Sequence, residues 1–174
     1  MPTLPGTPAP ELSLPLTIGT RWTLSAQRPD FMTMIVFYRG LHCPICKTYL
    51  NSLQKLLPDF RALGINPIAV SSDPEDRARE TSETWDIPDI PVGFDFPTDQ
   101  AGAWGLFVSE AISEKETRLF VEPGLFTVRP DGTLYYASIQ TQPFGRPAFA
   151  DMLRALTFIK ERDYPPRGTV AVQA

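Results

Sequence analysis

The chain has 174 residues, 43% of them hydrophobic and 21% charged, with a formal net charge of −4. That balance suits one globular domain spanning 1–174, with enough chain for a substantial core. It argues against nucleic-acid and acidic membrane partners, which need a positive footprint, and no segment is long and apolar enough to cross a membrane.

The 19 prolines are scattered along the chain as loop punctuation. Residues 1–10 form a Pro-rich extended tail that lacks the basic start and apolar run of a signal peptide, so a cytoplasmic location is expected, where thiols stay reduced. In "ELSLPLTIGTRWTLSA", short alternating runs around Ile18-Gly19-Thr20 predict a hairpin from about Leu12 to Leu24. "FMTMIVFY", residues 31–38, reads as a buried central strand. A helix follows from about Pro44 to Leu63, its apolar face drawn from Ile45, Tyr49, Leu53, Leu56, Leu57 and Phe60. Gly64 stops it, and Pro58 predicts a kink.

"INPIAV", residues 65–70, reads as a strand that Pro67 pushes toward a sheet edge. Asp73 as cap, Pro74 at the first helical position, and Glu75 and Asp76 after it predict a surface helix. A short strand is expected at Val92 to Phe96, and a short helix capped by Asp99 and running through Val108. Residues 109–118, "SEAISEKETR", read as a charged insert, a solvated helix or loop. "GLFTVRPDGTLYYASI", residues 124–139, is a hairpin turning at Pro130-Asp131-Gly132. The last helix spans about Pro147 to Arg162, with Phe149, Met152, Leu153, Leu156 and Ile159 on one side, and 165–174 is a second extended tail. Strand–helix alternation of this kind predicts an α/β sheet covered by helices.

Both cysteines and the only histidine lie in "FYRGLHCPICKTYL", at the carboxyl end of the buried strand, where open α/β sheets place their chemistry. Pro44 fits the first helical position, which makes Cys43 the cap residue. Its sulfur then faces the free N–H groups of Ile45 and Cys46 at the positive end of the helix dipole. A thiolate gains from that field, so Cys43 is expected to titrate below the free value of about 8.5 and to be the nucleophile. Arg39, folded back, pushes the same way, as does His42 when protonated.

Cys46 lies one turn deeper. Cβ atoms at that spacing are about 5 to 6 Å apart against roughly 3.5 to 4.5 Å in a disulfide, a gap the flexible cap residue can close and reopen. A cycling redox pair is the reading; two small core residues are the plain alternative. One cysteine pair with one adjacent histidine falls short of a four-ligand zinc site, and Lys47 stands where haem attachment needs histidine. No metal and no cofactor is expected. His42 reads equally as a tuning or proton-shuttling group or as a solvated loop residue.

The strand, the C-x-x-C helix start and the later proline leading into a hairpin resemble the thioredoxin fold. More closely, "APELSLPL", "MIVFYRGLHCPICK", "IAVSSDP" and "GLFTVRPDGTLYY" resemble the peroxiredoxin-like branch of the AhpC/TSA family. That resemblance implies a central mixed β-sheet flanked by helices with an N-terminal hairpin extension. It makes Cys43 the attacking cysteine, oxidised by a hydroperoxide to a sulfenic acid, and Cys46 the thiol that condenses with it.

Three positions depart from the family pattern. Gly40 and Val36 stand where it has Thr and Pro, and Pro123 stands where it has a downstream Arg. Arg39, Arg118 and Arg129 are the candidates to replace that Arg, and Pro123 matches the substrate-facing cis-proline of thioredoxins. The resemblance thus implies a thiol-dependent antioxidant oxidoreductase that reduces hydroperoxides and is recycled by an external dithiol such as thioredoxin. A disulfide reductase is the alternative, and a non-catalytic binding or metal-carrier domain the third reading. A homodimer is left open.

Overall fold

The N-terminal hairpin is the first element of the computed structural model, which describes residues 3–172. Ser13–Pro15 (β1) pairs antiparallel with Arg21–Thr23 (β2), setting Leu14 opposite Trp22. Met32–Phe37 (β3) is buried along its whole length. Successive side chains of a strand point to opposite faces. Met32, Met34 and Val36 accordingly join one apolar cluster and Ile35 and Phe37 the other, which is why the sequence here is an unbroken hydrophobic run rather than an alternating one.

Pro44–Ala62 (α1) follows, running through Pro58 and closing at Leu63 and Gly64, whose φ of 91° suits the residue after a helix end. The predicted apolar face of α1 divides in two. Cys46, Leu50, Leu53, Leu57 and Phe60 are buried. Ile45 is exposed, and Tyr49 and Leu56 are half-buried.

Ile65–Val70 (β4) lies near a sheet edge, as Pro67 predicts, one strand in from it. The five-stranded sheet has the order β5-β4-β3-β8-β9, with Val92–Gly93 as β5, Gly124–Val128 as β8 and Leu134–Ile139 as β9. β5 reaches only Ala69 and Val70. The N–H groups of Ala69 and Ser71 point toward it, so by the two-residue period Pro67 points the same way, past the end of β5, where no donor is required. β3 pairs parallel with β4 and antiparallel with β8, so the sheet is mixed.

Glu75–Thr84 (α2) begins one residue later than expected, with Pro74 rather than Asp73 as its cap. The helix predicted from Asp99 through Val108 is shorter. A 3-10 turn at Thr98–Gln100 leads into Ala101–Trp104 (α3), which ends at Gly105. The charged insert is the tip of an antiparallel ribbon formed by Val108–Glu110 (β6) and Leu119–Val121 (β7). Phe149–Arg162 (α4) buries Phe149, Met152 and Leu156 and packs on α1.

The two tails behave differently. Gly6 and Thr7 exchange backbone hydrogen bonds with Leu134, and Pro8 bridges to Thr133, tying the N-terminal lead to the start of β9. Residues 165–172 have no regular structure and are largely exposed, while Met1, Pro2, Gln173 and Ala174 lie outside the described residues.

Candidate active site

Beyond β3 the chain must turn sharply before α1 can begin. Tyr38 still donates its N–H to the Val70 carbonyl at 2.9 Å. Gly40 then takes φ 135°, a conformation closed to ordinary side chains. The space beside it is filled by the wholly buried carboxylate of Asp73, one oxygen of which would stand 2.7 Å from a Cβ placed on Gly40. Asp73 does not cap α2. It accepts the Leu41 N–H at 2.7 Å and Arg77 Nε at 3.2 Å, pinning the loop that carries the cysteines.

Cys43 N–H closes the turn onto the Gly40 carbonyl at 3.1 Å. Cys43 itself is extended, with φ −103° and ψ 96°, and Pro44 opens the helix after it. Its Sγ accepts the Cys46 N–H at 3.2 Å, so one of the helix's unpaired donors is directed at sulfur as the sequence predicts. A negative charge on that atom is stabilised by the donor and by the dipole behind it.

Cys43 and Cys46 form a disulfide with Cα atoms 5.2 Å apart. Cys46 is fully buried, and Cys43 keeps 2% of its surface exposed. The nearest charge is Arg146, which sequence reasoning missed. Its Nη2 donates to Cys46 Sγ at 2.8 Å, and its guanidinium lies over the Tyr49 ring at 4.7 Å. The other two nitrogens, Nε and Nη1, are buried with no acceptor among the described residues. No carboxylate forms an ion pair with it among the described residues. Burial lowers its pKa to about 10, so it stays cationic at neutral pH.

Arg39, which would favour the thiolate if folded back on Cys43, is held by two acids and an aromatic ring. Its Nε lies 3.2 Å from Glu122 and its Nη2 3.9 Å from Glu116, with the guanidinium 4.9 Å above Phe120. Glu122 is 3% exposed and also accepts the Ser109 hydroxyl. Glu116, at the ribbon tip, approaches His42 Nε2 at 4.0 Å. The tip is further tied down by Arg77, which donates to the Lys115 carbonyl at 2.9 Å.

His42 is not a solvated loop residue. Its side chain is 4% exposed, packs edge-on against Phe120 at 4.8 Å, and has both ring nitrogens without hydrogen-bond partners among the described residues. Burial lowers its pKa, and the Arg39 charge adds to the effect, so the neutral imidazole is favoured.

Three other expectations are corrected. Arg118 is exposed and its side chain makes no hydrogen bond or ion pair among the described residues; only its carbonyl is used, accepting the Ala111 N–H. Arg129 lies over Tyr135 in the β8–β9 hairpin. Pro123 is buried and its peptide bond is trans, so it offers no thioredoxin-like cis-proline surface. No three His, Cys, Asp or Glu side chains gather as a metal site among the described residues.

Arg146 had no local signal: it lies in "QPFGRPAF", a hundred residues from Cys46, and only the packing of α4 on α1 brings the two together. Glu122 offered a weak signal as a lone acid within an apolar strand region, where a charge needs a partner.

The sequence profile of the AhpC/TSA family matches residues 5–137. None of the curated proteins compared matches the chain. Among solved structures, the peroxiredoxin 6 of Arenicola marina is similar at a TM-score of 0.78 and 20% identity, over 92% of this chain and 74% of that one. The peroxidoxin BcpB of Mycobacterium tuberculosis gives 0.74 and 21%, over 90% and 98%. The reduced 2-Cys peroxiredoxin of Plasmodium vivax gives 0.76 and 14%, over 93% and 84%. At such identities the structures establish a shared fold, thioredoxin-like with a mixed central sheet.

Proposed function

The chain belongs to the AhpC/TSA family of thiol-dependent peroxidases, and on that premise we propose that it reduces hydroperoxides with Cys43 as nucleophile and Cys46 as resolving thiol. The observation that carries the assignment is the Cys43 sulfur capping α1, bonded to Cys46, with the Arg146 guanidinium, which has no carboxylate partner among the described residues, against Cys46.

In the reduced protein the Cys43 thiolate attacks the terminal oxygen of R–O–O–H. The O–O bond breaks, the leaving RO⁻ takes a proton from water, and Cys43 becomes a sulfenic acid. We assign to Arg146, which reaches Cys46 Sγ and whose Nε and Nη1 have no acceptor among the described residues, the role of donating to that developing charge, where fixed donors accelerate a reaction most. The Cys46 thiol then attacks the Cys43 sulfur, the S–O bond breaks, and hydroxide leaves with the thiol proton as water. The product is the disulfide. An external dithiol such as thioredoxin returns two electrons and two protons by thiol–disulfide exchange. We place this cycle in the cytoplasm, whose reducing pool such recycling needs.

A disulfide reductase uses the same sulfurs, but the buried, trans Pro123 gives it no support. The deciding experiment compares rates of the reduced protein with hydrogen peroxide, an organic hydroperoxide and a model disulfide. Cys43→Ser should abolish hydroperoxide consumption. Cys46→Ser should retain the first oxidation and fail to form the intramolecular bond. Fast disulfide exchange with sluggish hydroperoxide chemistry would reverse the assignment in favour of the reductase.

A further inference from the structure

The two sulfurs of the disulfide meet different donors. Cys43 Sγ accepts a backbone N–H, that of Cys46, at 3.2 Å, whereas Cys46 Sγ accepts from the guanidinium of Arg146 at 2.8 Å. Burial alone makes the wholly enclosed Cys46 the harder thiol to ionise. A cation in contact with it acts in the opposite direction, and acts strongly where water is excluded.

The guanidinium is held there by α1 itself. Tyr49, on the same helix and three residues beyond Cys46, lies 4.7 Å from it. Its hydroxyl donates to the Pro147 carbonyl at 2.7 Å, and its ring stacks on Phe149 at 4.3 Å. The cation is thus anchored to the stretch of helix that carries the sulfur, and opening the S–S bond does not release it. In the oxidised protein it has no carboxylate partner among the described residues, and Nε and Nη1 have no acceptor there. A buried charge without its counter-charge is costly. An opened disulfide supplies the missing anion.

We propose that Arg146 is the counter-ion of the opened pair, holding Cys46 as the leaving thiolate during re-reduction and drawing the redox equilibrium toward the reduced form. The inference rests on the Cys43–Cys46 cycle above and on no particular oxidant. The thiolate of a dithiol reductant attacks Cys43 Sγ, the sulfur that keeps some exposure. The Cys43–Cys46 bond breaks, its electron pair goes to Cys46 Sγ, and the reductant is left disulfide-bonded to Cys43. A sulfur departs faster the better its negative charge is held. The reductant's second thiol then attacks its own bound sulfur, and Cys43 is released as the reductant closes into a disulfide. Two electrons have moved to the pair. Of the reductant's two protons, one has gone to solvent and one lies between the released sulfurs, which share a single negative charge beside Arg146.

Dithiothreitol tests this, with the second-order rate of disulfide opening and the final equilibrium as readouts. Arg146→Met should slow opening at least tenfold and shift the equilibrium about tenfold toward the disulfide, or about 30 mV for two electrons. Arg146→Lys keeps the charge and should recover most of both. Two further readouts keep Arg146 in place, so a misfolded variant cannot mislead. The mixed disulfide with glutathione, trapped by acid quench, should map to Cys43. In Cys43→Ser, thiolate absorbance should show Cys46 ionising below the free value of about 8.5.

An opening rate and an equilibrium that Arg146→Met leaves unchanged overturn the proposal. So does a glutathione adduct on Cys46, or a Cys46 that titrates above the free value in Cys43→Ser. If the expected results hold in a protein that leaves hydroperoxides untouched, the peroxidase reading has failed and Arg146 keeps this role.

Discussion

Arg39 and Arg146 are both drawn into the protein beside the cysteine loop, yet their surroundings are opposite. The ribbon side gives Arg39 two carboxylates, Glu122 and Glu116, and an aromatic ring. The sulfur side gives Arg146 an aromatic ring and a sulfur, with no carboxylate among the described residues. A buried cation whose charge is matched serves to hold its neighbours in place, because removing it strands the counter-charges. A buried cation left unmatched lowers stability and persists where it acts on something that arrives from outside.

The contrast is sharpest for Arg146→Met. Hydroperoxide consumption should fall about a hundredfold through loss of donors to the leaving oxygen. The urea midpoint should hold or rise, since an unpaired buried charge has been removed. A falling midpoint with intact activity would dissolve the distinction. Arg39→Met should show the reverse pattern. It strands Glu122 and should cost about 3 kcal/mol in urea denaturation, and adding Glu122→Gln should restore part of that.

Gly40→Ala probes the hinge between the two sides. Alanine would need φ 135° and would press its Cβ onto Asp73, so a loss of about 2 kcal/mol is expected, with slower oxidation of Cys43 as the loop shifts.

His42 should give a smaller, pH-dependent effect. Its folded pKa lies below the ordinary 6.5, so the unfolded chain binds the proton more tightly. The contribution to stability is therefore complete above about pH 6.5. It is lost as pH falls through the interval down to the folded value, and is constant below that. Urea midpoints across pH 5 to 8 should show that slope in the unaltered protein and lose it in His42→Phe, and a proton NMR titration should place the imidazole below 6.5. Arg118→Ala closes the series. It should change stability by less than about 0.5 kcal/mol and leave the rates alone, because this arginine reaches neither side.

The sequence was most readable where structure is local. The strand, the turn and the Pro44 start of α1 lie within fifteen residues of one another, and periodicity and capping chemistry are enough to place the Cys43 sulfur. Asp73 was misread because Asp before Pro before acids has a strong local meaning, a helix cap, and nothing nearby in sequence reveals that Gly40 across the sheet leaves a hole for its carboxylate. Arg146 and Glu116 depend on how α4 and the β6–β7 ribbon fold back over the loop, which is a property of topology rather than of any short pattern. The apolar face of α1 shows the same limit from the other side. Periodicity marked Ile45, Tyr49 and Leu56 as apolar, but only the small residues at the start of α4, Ala148 and Ala150, explain why the core does not close over them.

The bond at the centre of the cycle joins residues three apart. In the chain-entropy model a ring that small restrains the unfolded polypeptide by only about 2 kcal/mol, against roughly 3 kcal/mol for a fifteen-residue loop. Oxidation and reduction thus shift global stability less than a cross-link closing a longer loop would. The ring closed by that bond stays within the first turn of α1 and cross-links no two elements of the fold.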